Sequence, residues 1–172
     1  MPQTNYTLYI DPGQEGMIAS ADTILRSGAV GTYTECVNST DAYIPYGRVV
    51  VGKPGGKIGE VQLPTAAAAT QKPLGLTYIM NYEQGLNGEI GIPPRRPLGF
   101  VYEGIVWLRT ETAVTADAPV FYRFAAGAGG TELGRVRGTA EAGSTDTLPR
   151  AKFVRAAAAG QLVPVRVDID LV

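Results

Sequence analysis

The chain has 172 residues, 45% of them hydrophobic and 18% charged, and this composition excludes a disordered polar chain and fits one domain. Its formal net charge of -1 argues against a general nucleic-acid binder, because neutralising phosphates requires a basic excess. The sequence contains no histidine, the usual general base and the commonest metal ligand. A binding or structural function is therefore favoured over catalysis, and we expect no catalytic residue, metal or cofactor.

The first residues of the chain predict an arm. Residues 1–16 are expected to lead into a single β-rich domain of residues 17–172. They lack the basic and apolar regions of a signal peptide, and no stretch of the chain approaches the ~20 apolar residues that span a bilayer. We therefore expect a protein made in the cytoplasm, without a membrane or nucleic-acid partner.

Short β-branched and aromatic runs bounded by Gly, Pro, Asp or Asn predict many short strands. Helix is scarce, since only residues 22–26 suggest a helical turn and the alanine tracts at 66–69 and 156–159 are too short. Strands without intervening amphipathic helices predict an all-β fold, a jelly-roll-like β-sandwich or barrel with extended loops or arms. The predicted strands cover residues 7–10, 32–37, 47–51, 75–80, 99–112, 119–124, 133–138, 151–155 and 165–171.

The last of these strands has the clearest pattern. Apolar residues at 165, 167, 169 and 171 alternate with Arg166, Asp168 and Asp170, which is typical of a sheet with one buried and one solvated face. Pro164 directly precedes the run, where its missing N–H removes no hydrogen bond from the strand interior.

A local repeat occurs at residues 72–78 and 96–102, with the pattern basic-Pro-Leu-Gly-apolar-x-Tyr. Proline fixes the entry and glycine permits a close approach, so the two copies predict equivalent strand starts. Between them, residues 91–97 read Gly-Ile-Pro-Pro-Arg-Arg-Pro, which predicts an extended, polyproline-like segment. This segment is either an exposed loop or an arm that lies across a neighbouring subunit.

Sequence motifs for catalysis, nucleotide binding or metal binding are weak in this chain. Residues 52–58 fail the nucleotide-loop pattern, because three residues separate the glycines and Ile58 replaces the hydroxyl residue, so we predict a basic hairpin loop. Asp168 and Asp170 occupy the expected solvent face, and Asp11 with Glu15 leaves a loop calcium site only as a less favoured alternative.

Two further residues have simple interpretations. Cys36 is the only cysteine, and we interpret it as a buried, inert thiol. Trp107 and nine tyrosines fit core aromatics on strands, although they leave open a sugar-stacking platform. The match of residues 38–40 to the glycosylation pattern is interpreted as chance in a chain without a secretory signal.

Six blocks in this order resemble the capsid cement, or decoration, proteins of tailed bacteriophages. Among them are Ile-Pro-Tyr-Gly-Arg-Val-Val-Val, Tyr-Glu-Gly-Ile-Val-Trp-Leu and Ala-Asp-Ala-Pro-Val-Phe-Tyr. The blocks span nearly the whole chain, at residues 16–20, 44–51, 73–76, 102–108, 114–122 and 162–168.

The resemblance implies a small all-β subunit that binds the outside of the major capsid protein lattice of a virion. It supplies no catalytic residues and leaves open whether the subunit forms a homodimer or a homotrimer. Our candidate residues for capsid or subunit contact are Tyr6, Tyr9, Pro94, Arg95 and Arg96. The alternative function is a carbohydrate-binding β-sandwich module of a phage structural protein, with Trp107 or exposed tyrosines as the platform.

Overall fold

The computed structural model of the protein describes residues 14–19, 31–79, 88–125 and 133–169. The predicted strand at 7–10 and helical turn at 22–26 lie outside the described residues. The described residues contain no helix, which confirms the all-β prediction and the interpretation of both alanine tracts. The strands are β1 Gly31–Asn38, β2 Val49–Gly52, β3 Glu60–Gln62, β4 Pro73–Thr77, β5 Pro97–Arg109, β6 Pro119–Arg123, β7 Val136–Arg137, β8 Thr145–Phe153 and β9 Leu162–Asp168.

The strands form one sheet that closes on itself at one end. The order is β1-β3-β2-β4-β5-β9-β8-β6-β7, and an additional β1–β5 pairing joins five of them into a small barrel. The pairing of β1 with β3 is parallel and the other pairings between these strands are antiparallel. Of the two predicted architectures, the barrel is the one that forms, with β9, β8, β6 and β7 as an extension.

The described residues form two hydrophobic clusters, and β5 contributes to both of them. Leu98 and Phe100 belong to the smaller cluster, together with Cys36 and other residues of the barrel. Val106 and Leu108 belong to the larger cluster, which lies under the extension. A strand of 13 residues is therefore buried along most of its length, and it connects the barrel to the extension.

The local repeat makes two equivalent strand starts, as predicted. Both β4 and β5 begin at the proline of the repeat, and the two strands pair antiparallel with Thr77 opposite Phe100. A Cβ atom at Gly75 would lie 2.5 Å from Cδ2 of Phe100 and 2.6 Å from the carbonyl oxygen of Val101. Gly75 therefore permits the close approach of the two strands.

The alternation of the last strand is also confirmed, since Val165, Val167 and Ile169 are buried and Arg166 is exposed. The expected position of Pro164 was wrong, because β9 begins at Leu162 and Pro164 lies inside it, opposite Trp107. Proline has no backbone N–H to donate to the opposite residue of β5. Trp107 does not need such a donor, because its own N–H and C=O form hydrogen bonds with residues 16–17 on the other side of β5.

Two further strands differ from expectation. β3 was not predicted, since three residues give too short a pattern. β8 begins at Thr145 rather than 151, although Pro149 lies within it. The β6–β8 register shifts between the pairs Pro119↔Lys152 and Phe121↔Thr147, and Arg150 has a φ of 53°. The proline is thus accommodated in an irregular stretch of the ladder.

Candidate functional site

The segment that contains Pro94, Arg95 and Arg96 is a turn directly before β5. The extended prediction holds only at Ile92, whose backbone exchanges hydrogen bonds of 2.8 and 3.0 Å with Ile44. The polyproline-like prediction was wrong for the next residues, because the N–H of Arg96 donates to the carbonyl oxygen of Pro93 at 3.4 Å and Arg95 has a φ of 60°. The turn points both arginines outward, and both are exposed.

Asn38 holds this turn in place. Its side chain is fully buried, and its Nδ2 donates to the carbonyl oxygens of Ala42 at 2.8 Å, Ile92 at 3.1 Å and Pro93 at 3.1 Å. The backbone of Asn38 also accepts from Arg95 N and donates to Arg96 O, each at 3.0 Å. One buried amide thereby connects the end of β1 to the turn before β5.

The charged groups of the turn remain accessible. Arg95 Nη2 lies 2.8 Å from Asp41 Oδ1, in a pair whose side chains are 59% and 91% exposed. An ion pair at that exposure contributes about 0–1 kcal/mol to stability. Arg95 and Arg96 are thus positioned by the backbone, and the exposed ion pair of Arg95 adds little to stability.

The loop between β2 and β3 lies beside the turn. The antiparallel pairing of these strands confirms the predicted hairpin, and backbone hydrogen bonds close it, from Lys53 N to Glu60 O at 2.9 Å and from Glu60 N to Lys57 O at 3.0 Å. Ile58 near its tip is fully exposed, with a relative accessibility of 101%. A large apolar side chain so exposed on an ordered hairpin is a candidate contact residue.

The turn and the hairpin border one groove of about 480 Å³. We use one name, the groove surface, for three parts together: the turn at residues 93–97, the hairpin loop at residues 53–59 and this groove. Cys36 lies at the groove floor and is 6% exposed, and burial, with a smaller effect of Glu35, raises the pKa of its thiol. The prediction of a buried thiol is therefore confirmed. The groove is lined by Glu35, Cys36, Val37, Lys57, Ile58, Gly59, Glu60 and Pro97.

A second feature is an ion cluster where β6 and β7 meet the residues after β5. Glu111 accepts from Arg123 Nε at 3.1 and 3.2 Å and from Arg123 Nη2 at 2.9 Å, and Glu141 accepts from Arg123 Nη2 at 3.0 Å. Arg137 donates to Glu141 and lies 3.8 Å from Glu111. Hydrogen bonds from Arg123 and then Arg137 lower the pKa of Glu141 to about 2.

The two candidate carboxylate pairs lie only partly within the described residues. Asp168 pairs with Arg150, and Asp170 lies outside the described residues. Glu15 accepts from Arg48 at 2.5 Å, whereas Asp11 again lies outside the part described. Across residues 14–19, 31–79, 88–125 and 133–169, no group of three or more Cys, Asp or Glu residues could hold a metal ion. Those same ranges contain no helix long and apolar enough to cross a membrane.

The aromatic platform of the alternative function is partly covered. The guanidinium carbon of Arg155 lies 4.7 Å from the centroid of the Trp107 ring, a cation–π contact that covers one face of the indole. Tyr46 and Tyr122 are buried. Tyr6 and Tyr9, the remaining contact candidates, lie outside the described residues.

Sequence reasoning missed three parts of this site. The role of Asn38 was not predicted, because residues 38–40 were interpreted only as a chance glycosylation match. Asn followed by Ser-Thr also predicts a turn closed by the asparagine side chain. That turn forms, since Thr40 N donates to Asn38 Oδ1 at 3.0 Å. The position of Ile58 in the predicted hairpin loop is the signal for its exposure. The ion cluster joins residues 111, 123, 137 and 141, and no spacing in the sequence indicates that contact.

The described residues form a small all-β barrel with an extension and with an exposed turn and hairpin on its surface. A model of the family described as structural cement protein (E217 gp24/Pam3 gp6) matches residues 1–168. The chain therefore belongs to the phage structural cement protein family, and it has a structural role in a phage capsid. The resemblance seen in the sequence is confirmed, and the virion is the place where such a protein acts.

One solved structure supports the fold. A chain of the structure titled "The capsid of Myoviridae Phage XM1" is 16% identical to this chain, with a TM-score of 0.63, over 99% of this chain and 100% of that one. A comparison with curated proteins found no match.

Proposed function

We propose that the chain binds the outer surface of the major capsid protein lattice, clamps neighbouring capsid subunits and does so without catalysis. Membership of the cement family supports a capsid role, and lattice binding is the simplest way for a small β-barrel to supply it. A cement protein adds interface area across subunits and needs no chemistry of its own.

The observation that carries this proposal is the ordered but exposed turn at residues 93–96. Asn38 fixes its backbone from inside, while Arg95 and Arg96 extend into solvent. A surface that is ordered before binding loses little conformational entropy when the complex forms. The neighbouring hairpin adds Ile58, an apolar side chain whose burial would contribute about 1.5–3 kcal/mol.

We also propose that residues 1–16 form a second contact, an arm in which Tyr6 and Tyr9 touch a neighbouring subunit. The end of this segment and the residue after it are anchored on β5, since Gly16 N donates to Trp107 O at 2.8 Å and Trp107 N donates to Met17 O at 2.8 Å. An anchored base would let such an arm reach outward without loosening the barrel. Removal of the first ten residues should weaken capsid binding and leave the β-type circular dichroism unchanged, and unchanged binding would exclude the arm.

The arginine contact is tested by Arg95→Ala/Arg96→Ala, measured as dissociation from capsids that lack the protein. We expect the dissociation rate to rise about tenfold or more, as when exposed arginines contribute to an interface. The matched control is Lys152→Ala/Arg166→Ala, which removes two exposed cations paired across β8 and β9. The control should dissociate like the unaltered protein. Equal rates for both variants would show that Arg95 and Arg96 are ordinary loop residues.

We propose that the chain acts as a homodimer or homotrimer, because a repeated contact on a lattice gains avidity when subunits are joined. Native mass spectrometry at micromolar concentration distinguishes the two states, and a monomer at all concentrations would contradict this part of the proposal.

A further inference from the structure

A recess of about 320 Å³ lies over the ion cluster, and its described lining contains more arginines than carboxylates. Its charged lining comprises Arg123, Arg135, Arg137, Glu111 and Glu141. Hydrogen bonds to Glu111 raise the pKa of Arg123, and the pKa of Glu141 is lowered to about 2, so these groups are ionised at neutral pH. Within the described part of the chain, three guanidinium groups thus line the recess beside two carboxylates.

Among the described residues, Arg135 is the arginine of this lining for which no carboxylate partner is present. Arg123 is paired with Glu111 and Glu141, and Arg137 donates to Glu141. Within the described ranges, Arg135 has no carboxylate partner, and its buried Nε has no hydrogen-bond acceptor. The buried Nε atom of Arg137, the other lining arginine with this feature, likewise lacks an acceptor among the described residues. An unsatisfied buried donor costs about 1–3 kcal/mol, so these two donors favour a ligand that accepts hydrogen bonds.

Arg48 strengthens the case for an anion. Its side chain is buried, and this burial lowers the pKa of its guanidinium despite the carboxylate of Glu15. The positive charge of Arg135 lowers that pKa further. A negative group beside Arg135 would relieve the repulsion between the two guanidinium ions.

We propose that this recess binds an oxyanion, the carboxylate or phosphate group that guanidinium forks recognise, with Arg135 as its principal ligand and Arg137 as a second donor. The planar donors of arginine match the paired oxygens of such groups. A small oxyanion fits the recess, and its negative charge would complement Arg135 among the described lining residues. The site is separate from the groove surface and does not depend on the capsid contact proposed above.

The test compares thermal unfolding in sodium chloride with unfolding in sodium phosphate or sodium acetate, at pH 7 and equal ionic strength. We expect a saturable rise in Tm of about 2–4 °C in at least one oxyanion, as for a ligand that binds only the folded state. Arg135→Gln should lose the rise, whereas Arg166→Gln, which removes an exposed cation on β9, should keep it. A rise in phosphate alone identifies phosphate as the ligand, and a rise in acetate identifies a carboxylate.

An equal rise in the unaltered protein and in Arg135→Gln would reflect general exclusion of the salt from the surface and would overturn the proposal. A second measurement needs no variant. The ³¹P line of inorganic phosphate should broaden in the presence of the protein, and acetate should reverse the broadening if the site accepts both groups. An unbroadened phosphate line together with a Tm that acetate leaves unchanged would exclude an oxyanion site.

Discussion

Asn38 Nδ2 lies 3.1 Å from the carbonyl oxygen of Pro93, a residue 55 positions later in the chain. This contact connects the end of β1 to the turn that presents Arg95 and Arg96. The exposed residues that we assign to capsid contact are therefore ordered by a buried amide that no partner can touch. The stability of the barrel and the shape of the contact turn depend on the same side chain.

Asn38→Ala should destabilise the protein by about 2–4 kcal/mol, because three carbonyl oxygens lose a donor and the change leaves a buried void. The measurement is urea unfolding followed by circular dichroism. Gln161→Ala is the control, since Gln161 is an exposed amide whose Oε1 accepts one hydrogen bond from Ala158 N at 3.1 Å. If Asn38→Ala lowers the free energy of unfolding no more than Gln161→Ala does, the amide of Asn38 does not stabilise the turn.

Gly75→Ala should destabilise the barrel by about 1–3 kcal/mol, because the new methyl group would overlap Phe100 and the backbone of Val101. Gly52→Ala is the matched control at the end of β2, where a Cβ atom meets nothing within 4 Å. Replacing a glycine without strain is neutral or stabilises by up to about 1 kcal/mol. Thermal unfolding of both variants checks the difference, and equal Tm values would exclude close packing of β4 on β5.

Glu111→Ala should cost about 3–5 kcal/mol, because it leaves the buried charge of Arg123 with fewer partners. The side chains of this pair are 10% and 8% exposed. Asp168→Ala removes the exposed pair with Arg150, whose side chains are 50% and 57% exposed, and should cost less than about 1 kcal/mol. Chemical denaturation of the two variants measures the contrast, and similar losses would refute a buried role for Glu111.

Acid should weaken the ion cluster through Glu141. The pKa of this carboxyl is lowered from 4.5 to about 2 in the folded protein. The stability that it contributes is therefore complete above pH 4.5 and is lost as the pH falls towards about 2. Glu141→Gln should give a flatter dependence of unfolding free energy on pH between those limits. Parallel profiles for the two proteins would show that Glu141 does not couple to folding.

Local patterns predicted most of the fold. The alternation after Pro164, the two Pro-Leu-Gly starts and the turn residues at 52–58 are short-range signals, and they identified β9, β4, β5 and the loop that follows β2. β3 was missed because three residues carry no readable period, and β8 was shortened because its irregular ladder accommodates Pro149.

The site was predicted less well, because its parts come from distant segments. The exposed arginines at 95 and 96 follow from a Pro-rich segment. Their support by Asn38 and the ion cluster around Arg123 depend on closure of the sheet, which no local pattern encodes. The parallel pairing of β1 with β3 and the β1–β5 closure are likewise long-range contacts.

The most direct test of the proposed function is cryo-electron microscopy of capsids that lack the protein, after mixing with the purified chain. We predict added density at regular lattice positions on the outer surface, where it bridges neighbouring capsid subunits, and its symmetry would distinguish a dimer from a trimer. Bare shells at micromolar protein, or density only on the inner surface, would contradict the proposal.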